Sequence, residues 1–357
     1  MISKYCYSYS PRTHPNLTFK GCTETTTLPN AGKNTDDLCV HETYFFRNID
    51  TLNYTTDYIK KVFPNGTNIA EFASSTGEEA YSIAMLLKDS NKDKKYKIFG
   101  YDITPRIIEQ MDSRLYEITP NKSETFLVSD YHTQSREQEN LKKIFYDHFE
   151  KIPKEWQYFE YSPKNIKKLL LKLDSSKNEI EKTALKYMIS YSKIPIQDKW
   201  GQFFIPKKDV FKDVVSFETK DISELGEKYE LNENTGVVFF KNAFYHIIGF
   251  GSYKENRPVD LALANKVTEE INKNLDKNGI FVVGSLIRDH LYNEKSQTRI
   301  IKQDNKDIEV CDSTEFHKML RKNGFEPVFY ECIKDECIGR FIRPVYLPSV
   351  WKKTREI

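Results

Sequence analysis

Residues 70–85 constrain the fold of this chain more than any other segment. They read as the end of a buried strand, a turn of small residues and the start of a helix, in the order Ala-Glu-Phe-Ala-Ser-Ser-Thr-Gly-Glu-Glu-Ala-Tyr-Ser-Ile-Ala-Met. Small side chains before Gly77 let a ligand approach the backbone closely, and the start of a helix offers N–H groups without intrahelical partners. The turn lacks the G-x-G-x-x-G spacing that cradles a pyrophosphate, so a nucleoside is a better fit than a dinucleotide.

Short apolar runs alternate with amphipathic stretches from Asn68 onward. This alternation is typical of a mostly parallel sheet with helices on both faces, so we predict an α/β, doubly wound fold. The pattern predicts strands at 69–73, 96–101, 214–217, 236–240, 280–284, 325–330 and 339–344, and helices at 77–88, 259–275 and 313–322.

Two regions depart from the alternation. Residues 1–40 are rich in Ser, Thr, Asn and Pro, which predicts an irregular N-terminal arm before a domain at 41–357. Between Thr119 and Lys212, charged amphipathic segments predict helices at 135–149, 163–173 and 177–191. We therefore expect a mostly helical insertion at about 119–212, which either elaborates the structure or covers the substrate.

Composition limits the kinds of partner. With 54 Lys+Arg and 52 Asp+Glu, the net charge of +2 creates no long-range field for a phosphate backbone, so nucleic acid is not expected. The apolar runs are far shorter than the roughly 20 residues of a membrane helix, and the first residues lack a secretory core. We expect a cytoplasmic protein without membrane insertion. The six cysteines lack the spacing of a structural zinc site and are predicted to be free thiols, and no metal is expected.

Asp102 ends the second predicted strand, roughly 25 residues after the turn, where an acidic residue can accept hydrogen bonds from both hydroxyls of a ribose. The same carboxylate could instead cap the helix that begins near Pro105. In combination with the preceding turn, its position favours ribose binding.

Four sequence elements resemble motifs of the CheR-type chemotaxis methyltransferases. Residues 43–47, Thr-Tyr-Phe-Phe-Arg, are similar to the family motif T-x-F-F-R, and residues 74–85 are similar to A-S-T-G-E-E-P-Y-S-I-A-M. Residues 217–222 resemble the element F-x-x-x-N-L, and residues 238–246 resemble the strand I-F-C-R-N-V-x-I-Y. The order and spacing of these elements fit from residue 41 to about residue 284.

The resemblance implies a Rossmann-like methyltransferase sheet that binds S-adenosylmethionine and moves its methyl group to the carboxylate of a glutamate side chain. The product would be a methyl ester on an acceptor protein such as a receptor. Carboxylates are ionised near neutral pH, so attack on the sulfonium methyl needs alignment and desolvation rather than a general base.

Transferred position by position, the resemblance implies a catalytic role for Arg47, whose guanidinium could hold either the acceptor carboxylate or the carboxylate of the cofactor. His246 aligns with an active-site Tyr of the family, and Tyr245 would replace that Tyr only if the strand end shifts by one residue. The implied cofactor-binding residues are His41, Thr43, Arg47, Ala73, Ser74, Gly77, Glu78, Asp102, Asp221, Ile222, Lys241 and Asn242.

Departures from the family pattern leave the acceptor open. His41 and Asp221 stand where the family usually has Asn, and Ala80 stands in place of Pro. His246 could accept a proton from a hydroxyl or an amine, and the N-terminal arm stands where the family has a helical domain that helps to dock the receptor. The alternatives are therefore a hydroxyl or amine acceptor, including a small molecule, and a non-catalytic sensor of S-adenosylmethionine or its demethylated product.

Overall fold

The computed structural model describes residues 45–88, 95–105, 108, 116–118, 135–151, 175, 202–241, 243–244, 261–284, 298–333 and 345–357. In this part of the chain the helices are α1 (Ile49–Val62), α2 (Glu78–Leu87), α3 (Ser135–His148), α4 (Ala262–Asn274) and α5 (Glu315–Lys322). The strands are β1 (Thr67–Phe72), β2 (Tyr96–Asp102), β3 (Tyr116–Ile118), β4 (Phe149–Lys151), β5 (Gln202–Pro206), β6 (Val215–Thr219), β7 (Thr235–Phe239), β8 (Ile280–Val282), β9 (Thr298–Gln303), β10 (Lys306–Cys311), β11 (Phe325–Ile333) and β12 (Val345–Lys353).

The larger sheet has nine strands among the described residues, in the order β6-β2-β1-β7-β8-β12-β10-β9, with β11 paired to β12. The five strands from β6 to β8 run parallel. Strand β12 lies antiparallel to both β8 and β11. The chain moves outward from β1 through β2 to β6, and then continues on the other side of β1 with β7 and β8. The carboxyl ends of β1 and β7 therefore form the switch point where sheets of this kind bind ligands.

Helices cover both faces of this sheet, as predicted. Neighbouring residues of β1 point to opposite faces, so Ile69 belongs to one apolar cluster and Ala70 to the other. The cluster around Ile69 includes Ile59 of α1 and Ile83 of α2. The cluster around Ala70 includes residues of α4 and α5, among them Ile271. Burial on both faces explains the apolar run of β7, and the predicted α/β class is confirmed.

The described part of the insertion combines a helix with a small sheet. The predicted helix at 135–149 is observed as α3, and the three short strands form an antiparallel sheet in the order β3-β5-β4. Aromatic side chains fix this unit against the main sheet: Phe145 and Phe149 stack with their ring centroids 4.6 Å apart, and Phe45 packs edge-on to both. The N-terminal arm and the predicted helices at 163–173 and 177–191 lie outside the described residues, so a mostly helical insertion stays a prediction.

The remaining predicted elements agree with the structure to within a few residues at each end, except the strand predicted at 339–344, which lies outside the described residues. Helix α1, the β9–β10 hairpin and strand β12 were not predicted. The two cysteines that the structure describes, Cys311 and Cys332, form no disulfide, as expected. Among the described helices, none combines the length and apolar character needed to cross a membrane.

Candidate active site

The turn after β1 is tight and closely joined to β2. The backbone angle φ is 55° at Ala73, 48° at Ser75 and 83° at Gly77, so two residues with side chains adopt the left-handed region that L-residues disfavour. The Ser74 N–H donates to the carbonyl of Tyr101 at 3.0 Å, and the Gly77 N–H donates to the carbonyl of Ser74 at 2.8 Å. Ala73 is exposed whereas the rest of the turn is buried, so the backbone at the end of β1 is accessible to a ligand.

Asp102 braces this turn from the end of β2. Its Oδ2 accepts a hydrogen bond from the Ser75 N–H at 2.8 Å, and its Oδ1 accepts one from the Thr104 N–H at 2.9 Å. The bond to Thr104 satisfies a backbone donor just before residue 105, so Asp102 stabilises the local backbone in addition to its proposed ribose contact. An ionised carboxylate has about four acceptor positions, and each oxygen of Asp102 therefore retains one for a ligand hydroxyl.

The start of α2 carries two acidic residues, which favour a helix N-terminus. The Glu78 carboxylate accepts a hydrogen bond from the Thr76 hydroxyl, and its backbone carbonyl accepts one from the Ser82 hydroxyl at 2.6 Å. The Tyr116 hydroxyl donates to the Thr76 carbonyl at 2.8 Å. Helix α2 and the small sheet thus also hold the turn.

Glu71 lies in β1, two residues before the turn, and was not among the predicted site residues. It is buried, and its Oε2 has no hydrogen-bond partner among the described residues. Burial, reinforced by the charge of Glu79, raises the pKa of this carboxyl well above its usual range, and the ammonium of Lys241 opposes this shift. An acidic residue inside an apolar strand is unusual in a sequence, and that feature could have identified it.

Lys241 follows β7 and connects two parts of the site. Its Nζ lies 2.7 Å from Glu79 Oε2 and donates to the carbonyl oxygen of Arg47, also at 2.7 Å. The predicted cofactor-binding residue Lys241 is thus at the switch point, but its ammonium is engaged by protein groups. Contact with the cofactor stays a prediction for this residue. Arg47 itself is half-buried.

Asp221 and Ile222 lie beyond β6, next to the end of β2. The Asp221 Oδ1 accepts from the Ser223 N–H at 2.8 Å and so caps a short 3₁₀ helix, Ile222–Glu224. Ile222 is buried in the apolar cluster on the α4 side of the sheet. The Lys220 N–H donates to the Asp102 carbonyl at 3.0 Å, which places this pair beside the predicted ribose position.

The structure therefore groups Ala73, Ser74, Gly77, Glu78 and Asp102 around one turn, with Asp221 and Ile222 on one side and Arg47 and Lys241 on the other. The other predicted site residues lie outside the described residues, and their roles stay predictions: His41, Thr43, Asn242, Tyr245 and His246.

Several buried polar atoms around the turn have hydrogen-bonding capacity that a cofactor with a nucleoside and an amino-acid part could use. Glu71 Oε2 and the hydroxyls of Ser74, Ser75 and Thr104 are buried and make no hydrogen bond within the part of the chain that the structure describes. Such groups are costly unless something satisfies them. Hydroxyl and ammonium groups of a ligand would supply the missing partners, so the residues fit such a cofactor.

The fold and this turn define a Rossmann-like nucleoside-binding site. Residues 41–152 match the family model described as CheR methyltransferase, SAM binding domain, which confirms the resemblance found in the motifs at 43–47 and 74–85. The chain is thus an S-adenosylmethionine-dependent methyltransferase, and S-adenosylmethionine is its cofactor. No curated protein matches the sequence.

Solved structures of low similarity include three from different organisms. The PH0226 protein from Pyrococcus horikoshii OT3 is 11% identical, with 86% of this chain and 89% of that chain covered and a TM-score of 0.35. The magnesium protoporphyrin IX methyltransferase from Synechocystis PCC 6803 with bound SAM is 9% identical, with coverages of 85% and 79% and a TM-score of 0.34. The N-methyltransferase NodS from Bradyrhizobium japonicum WM9 is 9% identical, with coverages of 86% and 88% and a TM-score of 0.36.

Proposed function

We propose that the chain transfers the methyl group of S-adenosylmethionine to a carboxylate, with the side chain of a glutamate in an acceptor protein as the leading substrate. One observation carries this proposal. The backbone of Arg47 is held at the carboxyl end of β7, where its carbonyl oxygen lies 2.7 Å from Lys241 Nζ. This brings an arginine beside the nucleoside-binding turn, and a guanidinium binds a carboxylate with two parallel hydrogen bonds.

The described residues support a specific arrangement of the cofactor. The two free acceptor positions of Asp102 suit the ribose hydroxyls, and Asp221 with Ile222 would flank the base at the neighbouring strand end. The carboxylate of Glu78, at the start of α2, lies beside the turn and favours a ligand that carries positive charge. When bound, S-adenosylmethionine supplies a positively charged sulfonium with an electrophilic methyl group.

Methyl transfer to a carboxylate requires the protein to align the reacting groups and to exclude water. An acceptor carboxylate is already ionised, so an oxygen lone pair forms the new bond to the methyl carbon while the carbon–sulfur electron pair passes to sulfur. No proton moves in this step. Arg47 would hold the acceptor carboxylate so that one oxygen faces the methyl group, and alignment of this kind can supply much of the rate enhancement.

A radiolabel experiment tests the acceptor. The chain is incubated with methyl-labelled S-adenosylmethionine and a protein extract of cells, and the labelled protein is then treated with mild alkali. A carboxylate acceptor predicts label in protein that alkali releases as volatile methanol, because esters hydrolyse readily in base. Alkali-stable label would instead assign a hydroxyl or amine acceptor. Absence of both label and S-adenosylhomocysteine production would assign a non-catalytic sensor.

Two arginine variants test whether Arg47 binds the acceptor or the cofactor. Arg47→Met should abolish most methyl transfer while the Kd for S-adenosylhomocysteine stays near the wild-type value, because Arg47 is proposed to hold the acceptor. A large increase of that Kd would mean that Arg47 binds the cofactor carboxylate instead. Arg355→Met is the matched control, since Arg355 is exposed near the carboxyl terminus and donates only to the Lys322 carbonyl among the contacts described.

A further inference from the structure

The three residues that present Arg47 form an unusual turn. Phe46 and Asn48 have φ values of 57° and 56°, so a left-handed residue stands on each side of the arginine. A residue such as Phe pays roughly 1–2 kcal/mol for this conformation, and it persists only where surrounding contacts fix it. Phe46 is also completely buried. The position of Arg47 therefore depends on contacts outside its own segment.

Three separate elements hold this turn at three successive residues. The Phe46 N–H donates to the Ser82 hydroxyl of α2 at 2.8 Å. The Arg47 carbonyl accepts from Lys241 Nζ at 2.7 Å, and the Asn48 side-chain amide donates to the Glu331 carboxylate of β11 at 2.6 Å. The middle contact is the one made to the backbone of the arginine itself.

The Lys241 contact also involves a buried ion pair. The side chain of Lys241 is 0% exposed, and that of Glu79 is 11% exposed. Removing two ions from water costs about as much as their attraction returns, so a buried pair is a weak source of stability. Its clearer consequence is geometric, because Glu79 fixes the ammonium group and the ammonium group fixes the Arg47 carbonyl.

We propose that Lys241 is a positioning residue for methyl transfer: anchored by Glu79, its ammonium holds the carbonyl of Arg47 and so fixes the turn that presents the guanidinium to the acceptor. This inference rests on the proposed function, in which Arg47 binds the acceptor carboxylate. It gives Lys241 a role through Arg47 rather than as a ligand of the cofactor.

The test compares Lys241→Met with Lys241→Arg. Methionine retains most of the length of lysine but removes the ammonium, so the rate of methyl transfer to the extract acceptor should fall about tenfold to a hundredfold, the effect of a small misplacement of a reacting group. Arginine keeps a charged donor and should restore at least part of the rate. The Kd for S-adenosylhomocysteine should stay within about threefold of wild type in both variants, since no cofactor contact is lost.

A second readout does not depend on the acceptor. Amide hydrogen exchange in a peptide that spans Phe46 to Leu52 should become faster in Lys241→Met, because the turn loses one of its contacts.

If the single variant folds poorly, the double variant Lys241→Met with Glu79→Gln also removes the unpaired buried carboxylate. It should keep both the lower rate of methyl transfer and the faster exchange. Lys353→Met is the matched control: Lys353 is also buried and donates to the Leu275 carbonyl at 2.8 Å, far along the chain from Arg47. It should lower the melting temperature without changing exchange at Phe46.

The outcomes separate this inference from the proposed function. Unchanged exchange near Phe46 together with an unchanged rate in Lys241→Met would overturn the positioning role. An increase of the Kd for S-adenosylhomocysteine that accounts for the whole loss of activity would also overturn it, because Lys241 would then be a cofactor ligand. Alkali-stable methyl label, by contrast, would contradict the carboxylate acceptor while the exchange result still decided whether Lys241 fixes the turn.

Discussion

Replacement of Asp102 by Asn gives a quantitative test of the cofactor site. In the wild type each carboxylate oxygen accepts one backbone N–H, from Ser75 at 2.8 Å and from Thr104 at 2.9 Å. The side chain of Asn has only one acceptor oxygen, and its NH₂ group would face one of these N–H donors. At least one charge-assisted hydrogen bond is lost, at about 1.5–3 kcal/mol, so the free energy of unfolding should fall by about this amount.

The same change removes an acceptor from the proposed ribose position. Loss of one charge-assisted bond to a ribose hydroxyl should weaken the binding of S-adenosylhomocysteine by about 1.5–3 kcal/mol, which corresponds to roughly a tenfold to hundredfold increase in Kd. Isothermal titration calorimetry below the melting temperature measures this value directly.

Asp312→Asn is the matched control for loss of a buried carboxylate. Asp312 is 4% exposed and accepts hydrogen bonds from Arg299, Arg321 and Tyr330 at a position remote from the turn. This variant should lower the melting temperature and leave the Kd unchanged. The reasoning is refuted if Asp102→Asn remains folded and binds S-adenosylhomocysteine as tightly as wild type, because Asp102 would then be only a structural brace.

Three further results are expected. Because burial raises the pKa of Glu71 above 4.5, the folded chain binds this proton more tightly than the unfolded chain and loses stability as the pH rises above that value. The melting temperature of Glu71→Gln should therefore increase relative to that of wild type as the pH increases. A difference in melting temperature that does not change with pH would contradict this. Gly77→Ala should lower the free energy of unfolding by about 1–2 kcal/mol, because the φ of Gly77 is 83°. Ala73→Gly, at a residue that is already left-handed, should leave the free energy of unfolding unchanged or raise it. Equal losses of this free energy in urea unfolding would refute the strain argument. Burial alone would raise the pKa of Asp312, but hydrogen bonds from Arg299 and Tyr330 hold it at about 2. The stability that Asp312 contributes is therefore present above pH 3.8 and lost as the pH falls towards 2. The difference in melting temperature between wild type and Asp312→Asn should shrink over that range, and a difference independent of pH would contradict the assignment.

Strand β1 and helix α2 could be predicted from the small-residue turn between them, and strands β7 and β8 because burial on both faces makes a parallel strand a continuous apolar run. Helix α1 could not, because threonines occupy its buried face: Thr51, Thr55 and Thr56 are buried yet polar and have low helix propensity. Tertiary packing outweighed the local pattern there. In the β9–β10 hairpin, strand β9 is mostly exposed and shows little alternation, although Ile308 and Val310 of β10 are buried. The turn residues Asp304 and Asn305 both have positive φ, and this pair of turn formers was a usable signal.

The candidate site, too, could be predicted from the sequence only in part. The turn and Asp102 could be located because they are local in sequence and have a characteristic spacing. The contact between Lys241 and Arg47 joins residues 194 positions apart, and a single sequence gives no indication of such a pairing. Glu71 was overlooked because an acidic residue within a strand pattern reads as an exposed position, whereas both faces of β1 are covered.

A crystal structure of the chain with S-adenosylhomocysteine tests the central claim most directly. The account predicts the nucleoside against the turn that contains Ala73 and Gly77, with both ribose hydroxyls at hydrogen-bond distance, about 3 Å, from the Asp102 carboxylate. A nucleoside bound elsewhere, or a ribose out of reach of Asp102, would contradict it.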